Sequence, residues 1–218
     1  VYSGMVEEGD IAIVDNRIVG IGQYEGHEVV DVEGRYVCPG LIDGHVHIES
    51  SMLIPSVFSQ TVLPKGTTTV IADPHEIANV AGIEGIRFMI EDSIETLLDI
   101  YYMLPSCVPS TQFENAGAIL TAEHLEPLLE EPLVLGLGEM MNYLGVIYGQ
   151  TDTFKKLKIA AGKIIDGHGP GLSGNDLNAY ISAGVMTDHE CTTVAEMAEK
   201  LNRGMFILIR EGSATKNL

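Results

Sequence analysis

Seven compact apolar runs, at residues 40–43, 68–72, 100–104, 133–138, 163–166, 184–187 and 205–209, recur along the chain with longer stretches between them. Short runs of this kind read as strands buried on both faces. Their alternation with helical segments implies β/α units joined into a parallel sheet. The clearest helical stretches are 83–98, 122–130, 175–183 and 194–202, where apolar residues recur near helical spacing. Asn175, Asp176 and Thr193 are candidate N-terminal caps for the last two. The implied fold is α/β: a TIM-like (β/α)8 barrel of which seven strands fit and an eighth does not.

In such a barrel the chemistry sits at the carboxyl ends of the strands, so the residues that follow each run carry the functional information. His45 and His47 follow the first, Asp73 and His75 the second, Ser106 and Cys107 the third, and Glu139 the fourth. His168 follows the fifth, His189 the sixth, and Arg210 with Glu211 the seventh. Five of the seven histidines fall at these positions, leaving only His27 and His124 elsewhere, which chance placement would not produce.

In the His45-Val46-His47 triplet, strand alternation sends the two imidazoles to one face, where they can grip one ion. Glu139 arrives on Leu135-Gly136-Leu137-Gly138, a glycine-rich approach that leaves room for a carboxylate bridging two cations; its bland reading is an acid favoured at a helix N-terminus. His168 and His189 are flanked by Asp166, Asp188 and Glu190, acids able to orient a ligating imidazole. Taken singly each reads as a structural histidine. Taken with His45 and His47 they favour a metal site.

Before residue 39 the pattern is short β: 11–14, an Asp15-Asn16-Arg17 turn, 18–21, 29–32 and 35–38. The rhythm changes at Pro39-Gly40, which separates part of a small N-terminal β-sandwich domain (1–38) from the barrel (39–218). The chain opens on Val1, and residues 1–10 lack a basic-then-apolar leader, so its start is expected to be trimmed.

With 31 acidic and 12 basic side chains the formal charge is −19, which disfavours nucleic acid as a partner. No apolar stretch approaches the roughly 18 residues of a membrane span. Cys38, Cys107 and Cys191 are scattered, with no C-x-x-C spacing, as expected of a soluble protein in a reducing cytoplasm.

Gly40-Leu41-Ile42-Asp43-Gly44-His45-Val46-His47-Ile48-Glu49-Ser50-Ser51-Met52 resembles the first-strand signature of the adenine deaminases within the amidohydrolase superfamily. Ala72-Asp73-Pro74-His75-Glu76-Ile77-Ala78-Asn79, Pro105-Ser106-Cys107-Val108-Pro109, Gly138-Glu139-Met140-Met141-Asn142, Asp166-Gly167-His168, Asp188-His189-Glu190 and Arg210-Glu211-Gly212-Ser213 are similar to that family's later blocks, in order. The resemblance implies a metal-dependent hydrolase with two divalent ions, manganese or iron with zinc also compatible. Their ligands would be His45, His47, Glu139, His168 and His189, of which Glu139 and His189 also count as catalytic. It implies hydrolysis of free adenine to hypoxanthine and ammonia, a small-molecule substrate and a homo-oligomer. Such an ion lowers the pKa of a water from 15.7 toward about 7. His75, Glu76, Asp73 and Glu49 are the substrate-binding candidates, although turn and capping roles account for them equally well. The family also uses an aspartate after an eighth strand; none occurs before Leu218, so this chain is expected to be a fragment, inactive by itself.

Three other motifs compete. His75-Glu76-Ile77-Ala78-Asn79 begins like a zincin helix but has Asn79 at the second ligand position. Residues 105–110 lack the P-C-x-x-C of zinc-dependent cytidine-type deaminases. Gly169-Pro170-Gly171-Leu172-Ser173-Gly174, with Asp188 downstream, fits a dinucleotide fingerprint and makes an NAD-dependent oxidoreductase the alternative from another class, though it leaves His45, His47 and Glu139 unexplained. A different nucleobase or a cyclic amide as substrate is the alternative within the barrel.

Overall fold

A computed structural model describes residues 4–212 and Lys216. The chain divides into two compact units, Val1–Pro39 and Gly40–Leu218. In the first, β1 (Asp10–Val14) and β2 (Arg17–Gly22) form an antiparallel hairpin. Its two loop residues, Asp15 and Asn16, have φ of 49° and 61°, the left-handed pair that a tight hairpin needs and that Asp and Asn tolerate best. Segments 29–32 and 35–38, expected as strands, carry no ladder. They flank a turn at Glu33-Gly34, closed by the Arg35 N–H donating to the Val32 carbonyl at 3.0 Å. β-forming composition becomes a strand only where a neighbouring strand offers its hydrogen bonds.

The second unit alternates strands and helices. In order these are β3 (Leu41–Val46), α1 (Pro55–Val62), β4 (Thr67–Ala72), α2 (His75–Ser93), β5 (Asp99–Pro105), α3 (Ala122–Leu125) and β6 (Val134–Met140). They continue with α4 (Tyr143–Ile147), α5 (Thr151–Ile159), β7 (Ile164–Gly167), α6 (Gly174–Ser182), β8 (Thr187–Asp188), α7 (Val194–Asn202) and β9 (Phe206–Ile207). β3 to β7 form a parallel sheet in chain order, and β8 and β9 pair in parallel. The Met186 N–H donates to the Ile165 carbonyl at 2.9 Å, so the pair continues beyond β7. A Cβ added to Gly44 on β3 would lie 3.0 Å from the side chain of Leu208, just after β9. The sheet is therefore curled, bringing its two ends toward each other in the open, barrel-like arrangement of repeated β/α units.

All seven apolar runs overlap strands, although 184–187 shares only Thr187 with the two-residue β8 and 205–209 shrinks to the two-residue β9. The helices differ more. α2 starts at His75 rather than 83 and ends at Ser93, and Gly82 inside it has φ 60° and ψ −141°, an interruption that hides the helical period. Segment 122–130 is α3 followed by a 3-10 turn, Glu126–Glu130. The N-cap of α6 is Ser173, with Asn175 and Asp176 inside the first turn, whereas Thr193 caps α7 by accepting from the Glu196 N–H at 3.2 Å. The short α1 and α5 have no counterpart in the sequence reading.

Val70, Ala72, Ile100, Leu104, Leu137 and Ile165 of the strands share one buried core with Ile86 and Met89 of α2. Burying each large aliphatic side chain contributes about 1.5–3 kcal/mol, which anchors the strand ends as a rigid rim. The buried Tyr102 hydroxyl donates to the Met89 carbonyl at 2.7 Å, so this phenol is not left unpaired. Among the described residues no helix is long and apolar enough to cross a membrane.

Candidate metal centre

The carboxyl ends of β3, β6, β7 and β8 converge. His45 and Glu139 prove to be the penultimate residues of their strands rather than the residues after them, while His47, His168 and His189 stand one residue past a strand end. Glu139 is at the centre. Its Oε1 lies 2.9 Å from Nε2 of both His45 and His47 and 3.6 Å from Nε2 of His189, and its Oε2 lies 3.0 Å from Nδ1 of His168. The His45 and His189 rings stack with centroids 4.0 Å apart. His45, His47 and Glu139 form one group able to hold a cation, and Glu139, His168 and His189 form another. The alternative of Glu139 as a helix N-terminal acid fails, because the residue is inside a buried strand.

These side chains fit a cation better than they fit one another. Both ring nitrogens of His189 are buried without a hydrogen-bond partner, and a neutral buried imidazole normally satisfies at least one. The His47 Nδ1–H donates to the Asp73 carbonyl at 2.9 Å in the tautomer that leaves the Nε2 lone pair pointing at Glu139.

Asp73, His75 and Glu76 adjoin His47. The His47 and His75 rings are 4.4 Å apart, His75 Nδ1 is 3.6 Å from Asp73 Oδ1, and Glu76 Oε2 is 3.7 Å from His47 Nδ1. Glu49 is one layer back, where its Oε1 accepts from the Ile77 N–H at the start of α2. On the opposite side Glu190 Oε1 lies 3.4 Å from His189 Nε2 and 3.7 Å from His168 Nδ1, and Arg210 Nη1 holds it at 2.7 Å. Of the acids expected to orient the histidines, only Glu190 faces them. Asp166 accepts from Thr187 Oγ1, and Asp188 turns inward to Lys200 and the Gly169 N–H. That inward turn also removes Asp188 from the ribose-binding role of a dinucleotide site. The Arg210-Glu211-Gly212 block is thus represented at the site by Arg210, while Ser213 lies outside the described residues.

Sequence reasoning missed two buried polar side chains behind the histidines, Tyr180 and Lys200. The Tyr180 hydroxyl accepts from the His168 N–H at 3.0 Å and donates to the Met140 carbonyl at 2.6 Å, tying the ends of β6 and β7 together. Nothing in their local sequence marks them, since a Tyr or a Lys on an amphipathic helix is ordinarily a partly exposed residue.

Burial pushes the Glu139 carboxyl up, but the surrounding imidazoles, His168 first and then His45, His47 and His189, outweigh it and hold it far below the usual carboxylate range. For His47, burial lowers the pKa, and Glu139 and Asp73 more than reverse that, raising it to about 9. His189 is driven the other way, to about 3, by burial and the adjacent His45. At pH 7 the metal-free centre therefore holds an ionised Glu139, a protonated His47 and a neutral His189. A cation must displace the His47 proton to bind there. Metal affinity is expected to rise with pH up to about 9, by about tenfold per unit for one displaced proton, and then to level off; calorimetric titrations between pH 6 and pH 10 measure it.

A groove lined by Ile90, Thr96, Leu98, Asp99 and Pro132 lies at the opposite, amino ends of the strands and carries no histidine.

The model of the Amidohydrolase family matches residues 36–213. The chain is 54% identical over 217 residues to a protein of Carboxydothermus hydrogenoformans named adenine deaminase 2, covering 100% of this chain and 38% of that protein. It is 53% identical over 220 residues to an adenine deaminase of Clostridium acetobutylicum and 54% identical over 220 residues to one of Geobacillus kaustophilus, again over all of this chain and 39% and 38% of theirs. The chain spans well under half the length of these relatives.

Proposed function

Since the chain belongs to the amidohydrolase family, we propose that the full-length polypeptide to which it contributes hydrolyses free adenine to hypoxanthine and ammonia at a two-cation site. One observation carries the reading: the two oxygens of Glu139 face different histidines, Oε1 toward His45 and His47 and Oε2 toward His168. A carboxylate so placed could serve two ions at once, with His189 completing the second group. The relatives named adenine deaminase support the substrate. Residues 1–38 would belong to a separate β-rich domain and 39–218 to the catalytic barrel.

The ions, manganese or iron with zinc also accepted by these ligands, would activate water as a nucleophile at neutral pH. The protein's part is placement. His45 and His47 would hold one ion together with the Glu139 carboxylate, and His168 and His189 the other together with the same carboxylate. The neutral state of His189 leaves one ring nitrogen with a lone pair free to ligate without first losing a proton. Glu139 and His189 would be catalytic in the sense that they help hold the ions that would activate the water, whose oxygen would bond to the purine C6 while the C–N bond breaks and one of its protons leaves with ammonia. Asp73, His75 and Glu76 would read the purine edge, the carboxylates accepting from the exocyclic amine and His75 donating to a ring nitrogen. Burial lowers the pKa of His75, but the adjacent Asp73 carboxylate and Cys107 raise it to about 12, so it carries a proton to donate. Glu49 would support this set by holding the start of α2.

Cys38, Cys107 and Cys191 form no disulfide, which supports a cytoplasmic location. Self-association belongs to the same proposal and is read by sedimentation.

The test is adenine turnover by the full-length protein. Metal-replete enzyme should form hypoxanthine and ammonia in equal amounts. Chelator treatment should abolish this, and manganese or iron(II) should restore it. Inert adenine beside a hydrolysed cyclic amide or other nucleobase would overturn the substrate assignment, and turnover indifferent to chelation would overturn the site.

A further inference from the structure

Lys200, on α7, is only 1% exposed, and Lys is among the residues least often buried fully. Its ammonium has three protons and meets three acceptors: the Gly169 carbonyl at 2.7 Å, Asp188 Oδ2 at 2.8 Å and Glu196 Oε1 at 2.8 Å. A buried ion pair by itself is weak evidence for stability, because an apolar replacement is often as stable. What distinguishes this one is where its partners lie. Gly169 directly follows His168, and Asp188 directly precedes His189. The other oxygen of Asp188 accepts from the Gly169 N–H at 2.8 Å, so both backbone polar groups of Gly169 are held. Glu196 extends the clamp, Oε1 accepting from the Gly171 N–H at 2.8 Å and Oε2 from the Thr192 N–H at 3.2 Å.

β8 is two residues long, so the sheet ladder alone does little to place the histidine that follows it. We infer that Lys200 is a positioning residue: through Asp188, Glu196 and the Gly169 carbonyl it locks the loops bearing His168 and His189 to one another and sets the spacing of the cation group they form. It touches no reacting atom. The inference rests on the proposal that His168 and His189 hold a cation, and it adds that a helix on the outer layer governs their affinity for it.

The experiment is cobalt(II) titration of metal-free full-length protein, followed by its visible d–d absorption, for the wild type, Lys200→Met, Lys200→Met/Asp188→Asn and Leu177→Ala. The double variant keeps an acceptor for the Gly169 N–H and leaves no lone charge buried at Asp188, so it guards against a single variant that fails to fold. Leu177 is a fully buried core residue of α6 whose truncation lowers stability without touching the clamp. Two cobalt ions should bind the wild type. In the Lys200 variants the second should bind about 10- to 100-fold more weakly with an altered spectrum, while Leu177→Ala retains both ions and the wild-type spectrum. Unchanged affinity and spectrum in both Lys200 variants would overturn the positioning role and leave the function standing. Equal weakening in Leu177→Ala would also overturn it, as an effect of general stability. A wild type that binds no cobalt would remove the metal centre itself, and the inference with it.

Discussion

Glu139→Gln in the full-length protein should leave a folded enzyme that cannot keep a cation pair, with adenine turnover reduced on the order of 10³-fold or more. Glu139 is the side chain whose two oxygens face different histidine sets, 2.9 Å from His45 and His47 and 3.0 Å from His168. An amide of the same shape keeps one acceptor, loses the charge and turns an NH2 toward histidine nitrogens that must offer lone pairs. The same change has a signature in the metal-free protein. The elevated pKa of His47, about 9, depends mainly on Glu139, so it should fall toward the ordinary histidine value near 6.5 when the carboxylate is gone. Metal analysis, kinetics and an NMR titration of His47 read the three effects. A glutamine variant with two tightly held ions would sink the bridging role whatever its activity.

Gly138→Ala should damage both fold and site, although it changes neither charge nor any proposed ligand. A Cβ on Gly138 would stand 2.2 Å from Asp73 Oδ2 and 2.8 Å from its Cγ. Asp73 is fully buried, so its carboxylate cannot retreat into solvent and must move the loop that carries it, including the carbonyl that accepts from His47 Nδ1. Overpacking of this kind costs about 1–3 kcal/mol. Each kcal/mol is worth about 2–4 °C in Tm for a domain of this size. Gly162→Ala is the matched control: φ there is +88°, so a side chain strains the backbone by about 1–2 kcal/mol, but nothing lies within 4 Å of its Cβ. Gly162→Ala should lose stability and keep its metal and turnover, while Gly138→Ala should lose all three. Equal turnover in the two variants would show that the Asp73 approach to β6 has no bearing on the chemistry.

The glycine-rich approach to Glu139 shows how far local reading reaches. Leu135-Gly136-Leu137-Gly138 suggests room beside a carboxylate, and the room exists, but it is filled by Asp73 from the end of β4. Likewise, the acids flanking His168 and His189 look like their partners, yet Asp188 turns to Lys200 while Glu190 faces both rings. His124, left out of the expected metal set, completes a capping box with Thr121 at α3.

What the chain determines locally is therefore the alternation of strand and helix, the apolar runs, and the polar residue that closes each run, because these depend on neighbours a few positions away. That is enough to bring His45, His47, Glu139, His168 and His189 to one rim, since parallel strands in chain order place their carboxyl ends together. Tertiary structure alone decided which oxygen of Glu139 faces which histidine, which acids reach the rings, and that Tyr180 and Lys200 brace them from behind. Those outcomes depend on the curl of the sheet and the seating of helices against it. Both arise from packing between residues far apart in sequence, and no local pattern encodes such distances.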